Sequence, residues 1–282
     1  MFKQPVRQEG ESSGNGVMVK PLSYLALDMR QLVVRFRADL LSILGQNLVS
    51  IYLFGAIAFP GFEPRAGDID FYVFLKRPLT ASQRTALDVM HRALAREFPL
   101  GIRIDGFYIT LSKARGRAIP KRLMYSARGR LHHGGRDDAW ALHREHLHHG
   151  AYVLVHGPKP EAIVPKVSWP EIERALDLEG LFARRVLRKH APYAVLNLCR
   201  LIYSYETKKV VLSKLEAARW ALKTLPNAWQ SLIRSALKAY PGRQNSRDLS
   251  VLKTSSVAFA GFALARISES KRLRRHDART RL

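Results

Sequence analysis

Cysteine and acidic residues are both scarce in this sequence of 282 residues. The single cysteine, Cys199, excludes an internal disulfide framework and a cysteine-rich zinc site. Asp and Glu number 23 whereas Lys and Arg number 47, so the formal net charge is +24. A chain this basic attracts polyanions such as nucleic acid, a nucleoside triphosphate or an anionic membrane surface. Charge alone does not choose among these partners.

Long apolar runs are also missing. Fully apolar stretches such as 257–260 are far too short to span a bilayer, and the N-terminal segment has no apolar core of the kind that marks a secretory signal. The sequence therefore predicts a cytoplasmic protein with no membrane partner. The glycine-rich motifs of P-loop ATPases and of dinucleotide-binding enzymes are absent as well, which argues against both classes.

What is present divides the chain into four regions. Residues 1–19 are polar and are expected to be disordered, and residues 271–282 form a basic tail that is expected to be mobile. Between them, residues 20–160 mix helical and strand patterns, whereas residues 161–270 are almost entirely helical. The predicted fold class is therefore α+β, with a small mixed sheet and its helices followed by an all-α bundle. A cluster of three prolines at 157–167 marks the boundary.

Local patterns predict most of the elements. Strands, which are short and rich in β-branched and aromatic residues, are predicted at 48–54, 69–75, 102–111 and 151–155. Helices, which have apolar residues at helical spacing, are predicted at 22–48, 80–98, 139–147, 169–189, 192–206, 213–223, 226–240 and 254–269. Capping boxes begin three of these helices, after Thr80, Ser168 and Ser213. The basic, glycine-dotted segment 112–136 has no assignment.

Two aspartates at the start of the second strand carry the most chemical information. Side chains alternate along a strand, so Asp68 and Asp70 point the same way while Ile69 points into the core. Two adjacent carboxylates repel unless a positive charge lies between them, and Mg²⁺ prefers carboxylate and phosphate oxygens. Upstream, the first strand ends at Gly55, where the backbone N–H groups of a glycine turn can approach a triphosphate closely.

A third acid, Asp105, lies on the third predicted strand between apolar neighbours. If that strand adjoins the one that carries Asp70, the three carboxylates reach one site. Asp105 would then share the metal or accept a proton from an attacking hydroxyl. The alternative is a surface turn whose acids are solvated, but both neighbouring strands have buried patterns.

This arrangement of a glycine turn, a loop, Asp-x-Asp and a later acid resembles the nucleotidyltransferase fold of the DNA polymerase beta superfamily. The second half sharpens the resemblance. Residues 193–207, the capping box at 213–222, and Tyr240 are similar in type and spacing to the C-terminal domain of the aminoglycoside adenylyltransferases of the streptomycin and spectinomycin type. The resemblance covers residues 25–245.

The resemblance implies a Mg²⁺-dependent enzyme that transfers AMP from ATP to a hydroxyl of a small molecule, with residues 20–160 as the nucleotidyltransferase domain. It implies that Asp68 and Asp70 hold Mg²⁺ and that Asp105 takes the position of the catalytic base. It implies that the residues contacting ATP are Gly55, Ala56, Arg200, Lys214 and Tyr240. The physical chemistry agrees, because arginine and lysine neutralise phosphates. For Arg200 and Lys214 the alternative is solvated charge.

Four departures from the family pattern bear on activity and substrate. The usual Gly-Ser turn reads Gly55-Ala56, the residue before Asp-x-Asp is Gly67 rather than serine, and the base position holds Asp105 rather than glutamate. Ala56 and Gly67 predict impaired activity, since the hydroxyl missing at Ala56 is one donor to the triphosphate. Asp105 is compatible with catalysis, because the wider superfamily commonly has aspartate at the base position. The fourth departure is at Val186 and His190, where the family pattern has acids that bind aminoglycosides. Both residues lie among arginines and lysines, and such a basic surface repels a polycationic acceptor. The sequence therefore predicts the reaction class but not the acceptor.

A nucleic-acid-binding protein on a nucleotidyltransferase scaffold, with weak or lost catalysis, is the second hypothesis. The net charge, the basic tail and Ala56 favour it, and the three acids oppose it. Six histidines lie at 132–149, but their spacing matches no zinc signature, and a basic hinge near the nucleotide is the prediction there. Asp137 and Asp138 are further candidates for the edge of the ATP site.

Overall fold

The computed structural model describes residues 20–63 and 67–279, with side chains as far as residue 274. Residues 1–19, the segment expected to be disordered, lie outside the described residues. The strands are β1 (Leu48–Phe54), β2 (Ile69–Leu75), β3 (Ile104–Thr110), β4 (Lys121–Ala127), β5 (Arg130–Arg136) and β6 (Val153–His156). The helices are α1 (Leu27–Leu44), α2 (Ala81–Glu97), α3 (Leu111–Ala114), α4 (Trp140–His148), α5 (Trp169–Val186), α6 (Ala191–Thr207), α7 (Lys214–Thr224), α8 (Gln230–Ala239) and α9 (Ser246–Arg279).

The six strands form one mixed sheet in the order β5-β4-β3-β2-β1-β6. β2 and β3 run parallel, whereas every other neighbouring pair is antiparallel. Antiparallel neighbours need only short connections, but the parallel pair requires a crossover, which α2 provides. The mixed sheet followed by a helical half confirms the predicted α+β class.

Both faces of the central strands are buried, which explains why β1 and β2 read as continuous apolar runs. On one face, Phe71 and Val73 pack with α1 and α2. On the other, Tyr72 and Phe74 pack against α4 and the segment after β6. The capping box at Thr80 forms as predicted, since its hydroxyl accepts the Gln83 amide and the Gln83 side chain accepts the Thr80 amide.

The unassigned segment 112–136 is a β-hairpin at the edge of the sheet. β4 and β5 are joined by the two residues Arg128 and Gly129, which have φ angles of 52° and 70°. Two positive φ angles suit a tight hairpin turn whose twist matches the strands. Arg130, His132 and His133 on β5 are exposed, as is common for a sheet edge.

The helical half packs around α6, whose residues 194–199 are all buried. α9 contacts α6 and α8 and is much longer than the predicted helix 254–269. The helix continues through residues 271–279, so these residues are not the separate mobile tail that the sequence suggested. Lys271 instead pairs with Asp177 at 2.5 Å, which ties the end of α9 to α5.

By length and composition, α9 is the one described helix apolar enough to cross a membrane, with a mean hydropathy of 1.2 over its most apolar window. Its side chains Leu252, Phe259, Ala263 and Ile267 belong to the core of the helical half. A helix that packs in a protein core can be equally apolar, so the packing of these side chains accounts for the hydropathy of α9.

α4 joins the sheet to the helical half through a buried arginine. Arg144 is fully buried, and its guanidinium bonds Glu171 at the start of α5 at 2.6 Å. A second nitrogen of Arg144 donates to the carbonyl of Pro165, in the connection between the halves, at 3.2 Å. This pair sets the position of α5 relative to the sheet, and therefore the width of the cleft between them.

Candidate active site

A cavity of about 460 Å³ lies between the sheet and the helical half. Its sheet wall comes from the end of β1, the start of β2 and the turn after β1. Its helical wall comes from α5, α6, α7 and the end of α8, while α4 closes one side. The cavity is lined by these sequence-predicted site residues: Gly55, Ala56, Gly67, Asp68, Asp70, Arg200, Lys214 and Tyr240.

Gly55 is required by its contact with Asp70. Its φ is +71°, and a Cβ built on it would lie 2.1 Å from Oδ2 of Asp70. Any side chain at this position would therefore displace the carboxylate and strain the backbone. The glycine of the predicted turn thus allows the backbone to pass directly over the Asp70 side chain.

Asp70 and Asp105 are directly opposite each other on the parallel strands β2 and β3. Side chains of paired residues point to the same face, so the two carboxylates are neighbours, as the sequence predicted. Asp68 lies just before β2, is exposed, and forms an ion pair of 3.8 Å with Arg103. Asp105 does not line the cavity itself, because it lies one strand further along the sheet.

Two of the acids have raised pKa values. Burial, together with the nearby charges of Asp105 and Asp68, raises the pKa of Asp70 to about 7, although His143 and Lys214 oppose the shift. Burial and Asp68 raise the pKa of Asp105 to about 6. Asp70 and Asp105 therefore stay protonated more readily than exposed carboxyls, and a positive charge close to them would favour their ionised forms.

Lys214, Tyr193 and Tyr240 form the centre of the helical wall. The Lys214 ammonium lies 4.7 Å from the centre of the Tyr193 ring and 5.6 Å from that of Tyr240. Burial lowers the pKa of Lys214 to about 8, helped by the charge of Arg200 and opposed by Asp70. The alternative of a solvated surface charge therefore does not hold for Lys214.

Arg200 also faces the cavity rather than solvent. It lies 3.7 Å from Glu179, a residue of α5 that sequence reasoning missed. The buried Asn197 donates to the same carboxylate at 2.9 Å. No local pattern identifies Glu179, because α5 brings it to the cavity only through its packing against α6.

His143 on α4, one of the six histidines at 132–149, also lines the cavity. Its Nδ1 lies 2.6 Å from the hydroxyl of Tyr72 and 3.2 Å from the buried carboxylate of Asp137, which also accepts a hydrogen bond from Tyr72. Asp137 and the other nearby acids keep the pKa of His143 raised although burial alone lowers it. Asp137 therefore orients the His143 ring through this hydrogen bond. Neither Asp137 nor Asp138 lines the cavity.

Of the other histidines, His146 also lines the cavity, whereas His132 lies elsewhere. His146 is buried and donates to the carbonyl of Val210 at 3.0 Å, while His132 stacks on Tyr125 at the sheet edge. Among the described residues, no group of three or more His, Cys, Asp or Glu side chains is arranged to hold a metal ion by itself. A metal in this cavity would need oxygen ligands from a substrate in addition to protein carboxylates.

Mg²⁺ fits the donor set that is present. Asp68 and Asp70 supply hard oxygen ligands, and burial raises the pKa of Asp70, so a bound cation would stabilise its ionised form. One or two carboxylates plus phosphate oxygens is the usual protein environment of Mg²⁺. We therefore take Asp68 and Asp70 as the candidate residues to hold it.

The helical half of the chain is similar to a known protein family. Residues 164–266 match the family described as aminoglycoside adenylyltransferase, C-terminal domain. The helical half of this chain is therefore similar to that C-terminal domain. The matched region supplies one wall of the cavity, including Arg200, Lys214 and Tyr240.

The fold of most of this chain is similar to that of one solved structure. The structure of spectinomycin adenyltransferase from Enterococcus faecialis, with ATP and spectinomycin, superposes with a TM-score of 0.69 at 17% sequence identity. The match covers 84% of this chain and 98% of that chain. No curated protein matches the sequence significantly. This chain therefore shares its fold with that structure over most of its length.

The pKa shifts predict a narrow pH range for binding of magnesium nucleotide. Affinity falls as the pH drops through 7, because Asp70 becomes protonated and loses its attraction for a cation. Affinity also falls above pH 8, where Lys214 loses the proton that attracts phosphate. Calorimetric titration of MgATP between pH 5.5 and 9 tests this, and an affinity that is constant over the range contradicts it.

Proposed function

We propose that this protein is a Mg²⁺-dependent adenylyltransferase that transfers AMP from ATP to a hydroxyl of a small molecule. The observation that carries the proposal is the meeting of two walls in one cavity. Asp68 and Asp70 on the sheet wall face Arg200 and Lys214 on the helical wall. Carboxylates on one side and cations on the other suit a metal-bound triphosphate between them.

The sheet wall would hold the metal and the α-phosphate. Asp68 and Asp70 would hold Mg²⁺, which when bound neutralises phosphate charge and polarises the phosphorus that is attacked. Gly55 and Ala56 form the first turn after β1 and bring backbone N–H groups to the same end of the cavity. These groups favour an anion without adding side-chain bulk.

The helical wall would bind the phosphates that leave. Arg200 and Lys214 supply two positive charges in a partly desolvated site, where charge neutralisation is stronger than in water. The Tyr193 and Tyr240 rings flank the Lys214 ammonium and limit its motion. Lys214 is therefore positioned before the substrate binds, which lowers the entropy lost on binding.

Asp105 would accept the proton of the acceptor. In the proposed reaction, the hydroxyl oxygen forms a bond to the α-phosphorus while the bond to the β-phosphate oxygen breaks and pyrophosphate leaves. The proton of the hydroxyl goes to Asp105. Its pKa of about 6 makes it a stronger base than an ordinary aspartate and still ionised near neutral pH.

The experiment that tests the proposal follows two labels. With ATP labelled at the α-phosphate, Mg²⁺ and a panel of hydroxyl compounds that includes spectinomycin, the label is expected on the acceptor. With ATP labelled at the γ-phosphate, it is expected in pyrophosphate. Transfer of the γ-phosphate, release of inorganic phosphate alone, or failure of MgATP to bind would each contradict the proposal.

Restoring a serine in the turn should strengthen nucleotide binding. Ala56 lines the cavity, and a Cβ built on Gly67 would lie 3.9 Å from the Ala56 Cβ, so there is room for a hydroxyl. One hydrogen bond to a charged group contributes about 1.5–3 kcal/mol, so Ala56→Ser should lower the Kd for MgATP about tenfold. Calorimetry measures the change.

Ala139→Ser is the matched control for Ala56→Ser. It adds the same hydroxyl to the α4 side of the cavity, away from the turn, and should leave the Kd for MgATP unchanged. Equal effects of the two substitutions on the Kd for MgATP, or no effect of Ala56→Ser, would contradict the prediction. The hydroxyl that this turn lacks would then make no contribution to nucleotide binding.

Nucleic-acid binding is the second candidate, and one surface favours it. The segment 113–136 contains eight Lys or Arg residues and no Asp or Glu, and most of these cations are exposed on the β4–β5 hairpin. Binding to phosphate backbones falls steeply with ionic strength. Titration with a single-stranded oligonucleotide at 50 and 200 mM salt tests it: tight, salt-sensitive binding without adenylyl transfer would favour this candidate.

A further inference from the structure

His143 is a cavity residue that the proposed reaction leaves without a role. Its ring lines the cavity from α4, and its side chain keeps 26% of its surface exposed. The proposed reaction assigns roles only to acids of the sheet and to cations of the helical wall. An imidazole that faces the same space can exchange hydrogen bonds with a ligand, so its place there needs a physical explanation.

One ring nitrogen of His143 is already occupied. Its Nδ1 lies 2.6 Å from the Tyr72 hydroxyl and 3.2 Å from the Asp137 carboxylate, and Tyr72 itself donates to Asp137. Because the single Tyr72 proton goes to the carboxylate, Nδ1 must carry a hydrogen to bond these oxygens. Nε2, on the other side of the ring, forms no hydrogen bond or ion pair with any described residue. That nitrogen is free to contact a ligand.

The surroundings of His143 favour the charged imidazolium. Asp137 is buried, and among the described residues His143 is the only cation that forms an ion pair with it. A buried carboxylate without a partner is costly, so this pair is more stable as two opposite charges. Burial lowers the pKa of His143, but the charges of Asp137, Asp70 and Glu179 keep it raised. Nε2 then also carries a hydrogen and presents a charged donor to the cavity.

The sheet fixes this donor beside Asp70. Phe54 pairs with Asp70 across β1 and β2, and Tyr72 follows Asp70 on the same face of β2. The His143 ring packs on both aromatic rings, with its centre 4.7 Å from that of Phe54 and 5.8 Å from that of Tyr72. Burial raises the pKa of Asp70, and His143 is the largest of the charges that oppose this, ahead of Lys214. His143 therefore acts at the Asp70 end of the cavity.

The Asp70 end of the cavity is where the α-phosphate is proposed to bind. A cation beside Asp70 weakens the binding of a metal ion there, because two positive charges repel. Its presence is explained if its charge serves the anion that binds together with the metal. In phosphoryl transfer the charge of the transition state is spread over the oxygens of the phosphorus that is attacked. A fixed, charged donor close to these oxygens stabilises the transition state more than the bound substrate.

We infer that His143 is a catalytic residue whose Nε2–H donates to a non-bridging oxygen of the α-phosphate. The inference rests on the proposed adenylyl transfer and adds a residue to it. Asp137 and Tyr72 hold the ring and do not touch the substrate. His143 keeps its proton throughout, since the proton of the acceptor goes to Asp105 as the new bond to phosphorus forms and pyrophosphate leaves. The competing roles are that His143 contacts the acceptor, or that it only fills the wall.

Two substitutions separate the two nitrogens of the ring. His143→Asn places an amide near the position of Nδ1, so it can still bond Asp137, but it has no donor in the place of Nε2. His143→Gln extends an amide to the position of Nε2 and supplies a neutral donor there. His149→Asn is the control, because His149 follows α4 directly, is 57% exposed and does not line the cavity.

The hydrogen bond itself is measured without an acceptor. The probe is α,β-methylene ATP with Mg²⁺, which retains both non-bridging oxygens of the α-phosphate and is not cleaved at that phosphorus. In protein with ¹⁵N-labelled histidine rings, the probe should produce a slowly exchanging Nε2–H signal in wild type and in His149→Asn. The signal should be absent from His143→Asn, whose Kd for the probe should rise less than about threefold, because the contact is strongest in the transition state.

The contribution to rate is measured with the panel compound that accepts the α-label. His143→Asn should lower kcat about 100-fold and leave KM for both substrates within about threefold, whereas His143→Gln should lose only about tenfold. Sulfur is a poorer acceptor than oxygen, so one diastereomer of ATP with an α-phosphorothioate should react more slowly than ATP in wild type. This difference should shrink about tenfold in His143→Asn, where the contact is already lost.

Three results would overturn the inference. A rise in KM for the acceptor alone, with an unchanged sulfur effect, would show that His143 contacts the acceptor. A lowered Tm of His143→Asn, with both substrates weakened equally and no rescue by His143→Gln, would show that the ring only fills the wall. Binding of the probe without an Nε2–H signal would remove the contact while the nucleotide site stands. Failure of wild type to bind MgATP is a different outcome, because it contradicts the proposed function itself.

Discussion

Asp70→Asn is expected to lower kcat/KM for adenylyl transfer by about 1,000-fold or more, equivalent to about 4 kcal/mol of transition-state stabilisation. Asparagine has the same shape but lacks the charge that is proposed to hold the metal. The Gly55 backbone passes over this side chain, so the substitution leaves the turn in place. Pyrophosphate release measures the rate, and calorimetry with MgATP measures the loss of binding.

The same substitution should not destabilise the protein. A loss of activity in Asp70→Asn can then be attributed to the site and not to unfolding. The folded-state pKa of Asp70, about 7, is above the ordinary value of 3.8, so its ionised form is disfavoured in the folded chain. The carboxyl therefore contributes stability at low pH that is lost as the pH rises through 7. At pH 8 the Tm of Asp70→Asn should equal or exceed that of wild type, and at pH 4 this advantage should disappear.

Asp138→Asn is the control for these measurements. Asp138 is exposed, forms an ion pair with Arg136 and lies outside the cavity, so its loss should alter neither activity nor Tm appreciably. If Asp70→Asn kept more than about a tenth of the wild-type rate, the metal role of Asp70 would be wrong.

Glu171→Gln should lower the free energy of unfolding by about 3 kcal/mol or more. Glutamine can still cap α5 at Ser168, so the capping box survives the substitution. The Arg144 guanidinium, however, is fully buried and would lose its negative partner. Leaving a buried charge unpaired is far more costly than losing an exposed ion pair. Urea denaturation measures the change.

Glu216→Gln provides a closely matched comparison. Glu216 occupies the same position of the capping box at the start of α7, where it accepts from the Ser213 amide at 2.7 Å, but it is exposed and has no buried arginine. The expected change in the free energy of unfolding is below about 0.5 kcal/mol. Equal losses in the two variants would show that the cap, and not the buried pair, accounts for the effect.

The central part of the fold could be predicted because its signals are local. β1 and β2 read as buried strands from their own residues, and each capping box needs only four consecutive residues. The pairing of Asp70 with Asp105 followed from strand alternation together with one assumption, that β2 and β3 are neighbours. The structure confirms that assumption.

The β4–β5 hairpin could not be predicted because its strands have no clear alternation. β5 has exposed side chains at Arg130, His132 and His133, and it includes Gly134 and Gly135, which weaken any strand pattern. Its pairing partner, and not its own composition, makes it a strand. The far end of α9 was missed for a similar reason, since its basic residues are held by contacts with α5 and α6.

The sequence by itself determined the α+β class, the acids Asp68 and Asp70 at the start of a strand, and the glycine turn that precedes them. These depend on neighbours a few residues apart, which local hydrogen bonding and side-chain alternation control. Only the tertiary structure decided that Glu179 and His143 face the cavity. They come from α5 and α4, and their position depends on how the helical half packs against the sheet through the Arg144–Glu171 pair. Packing across such distances joins residues whose spacing in the sequence carries no pattern, so the place of these two residues in the cavity could not be predicted from the sequence.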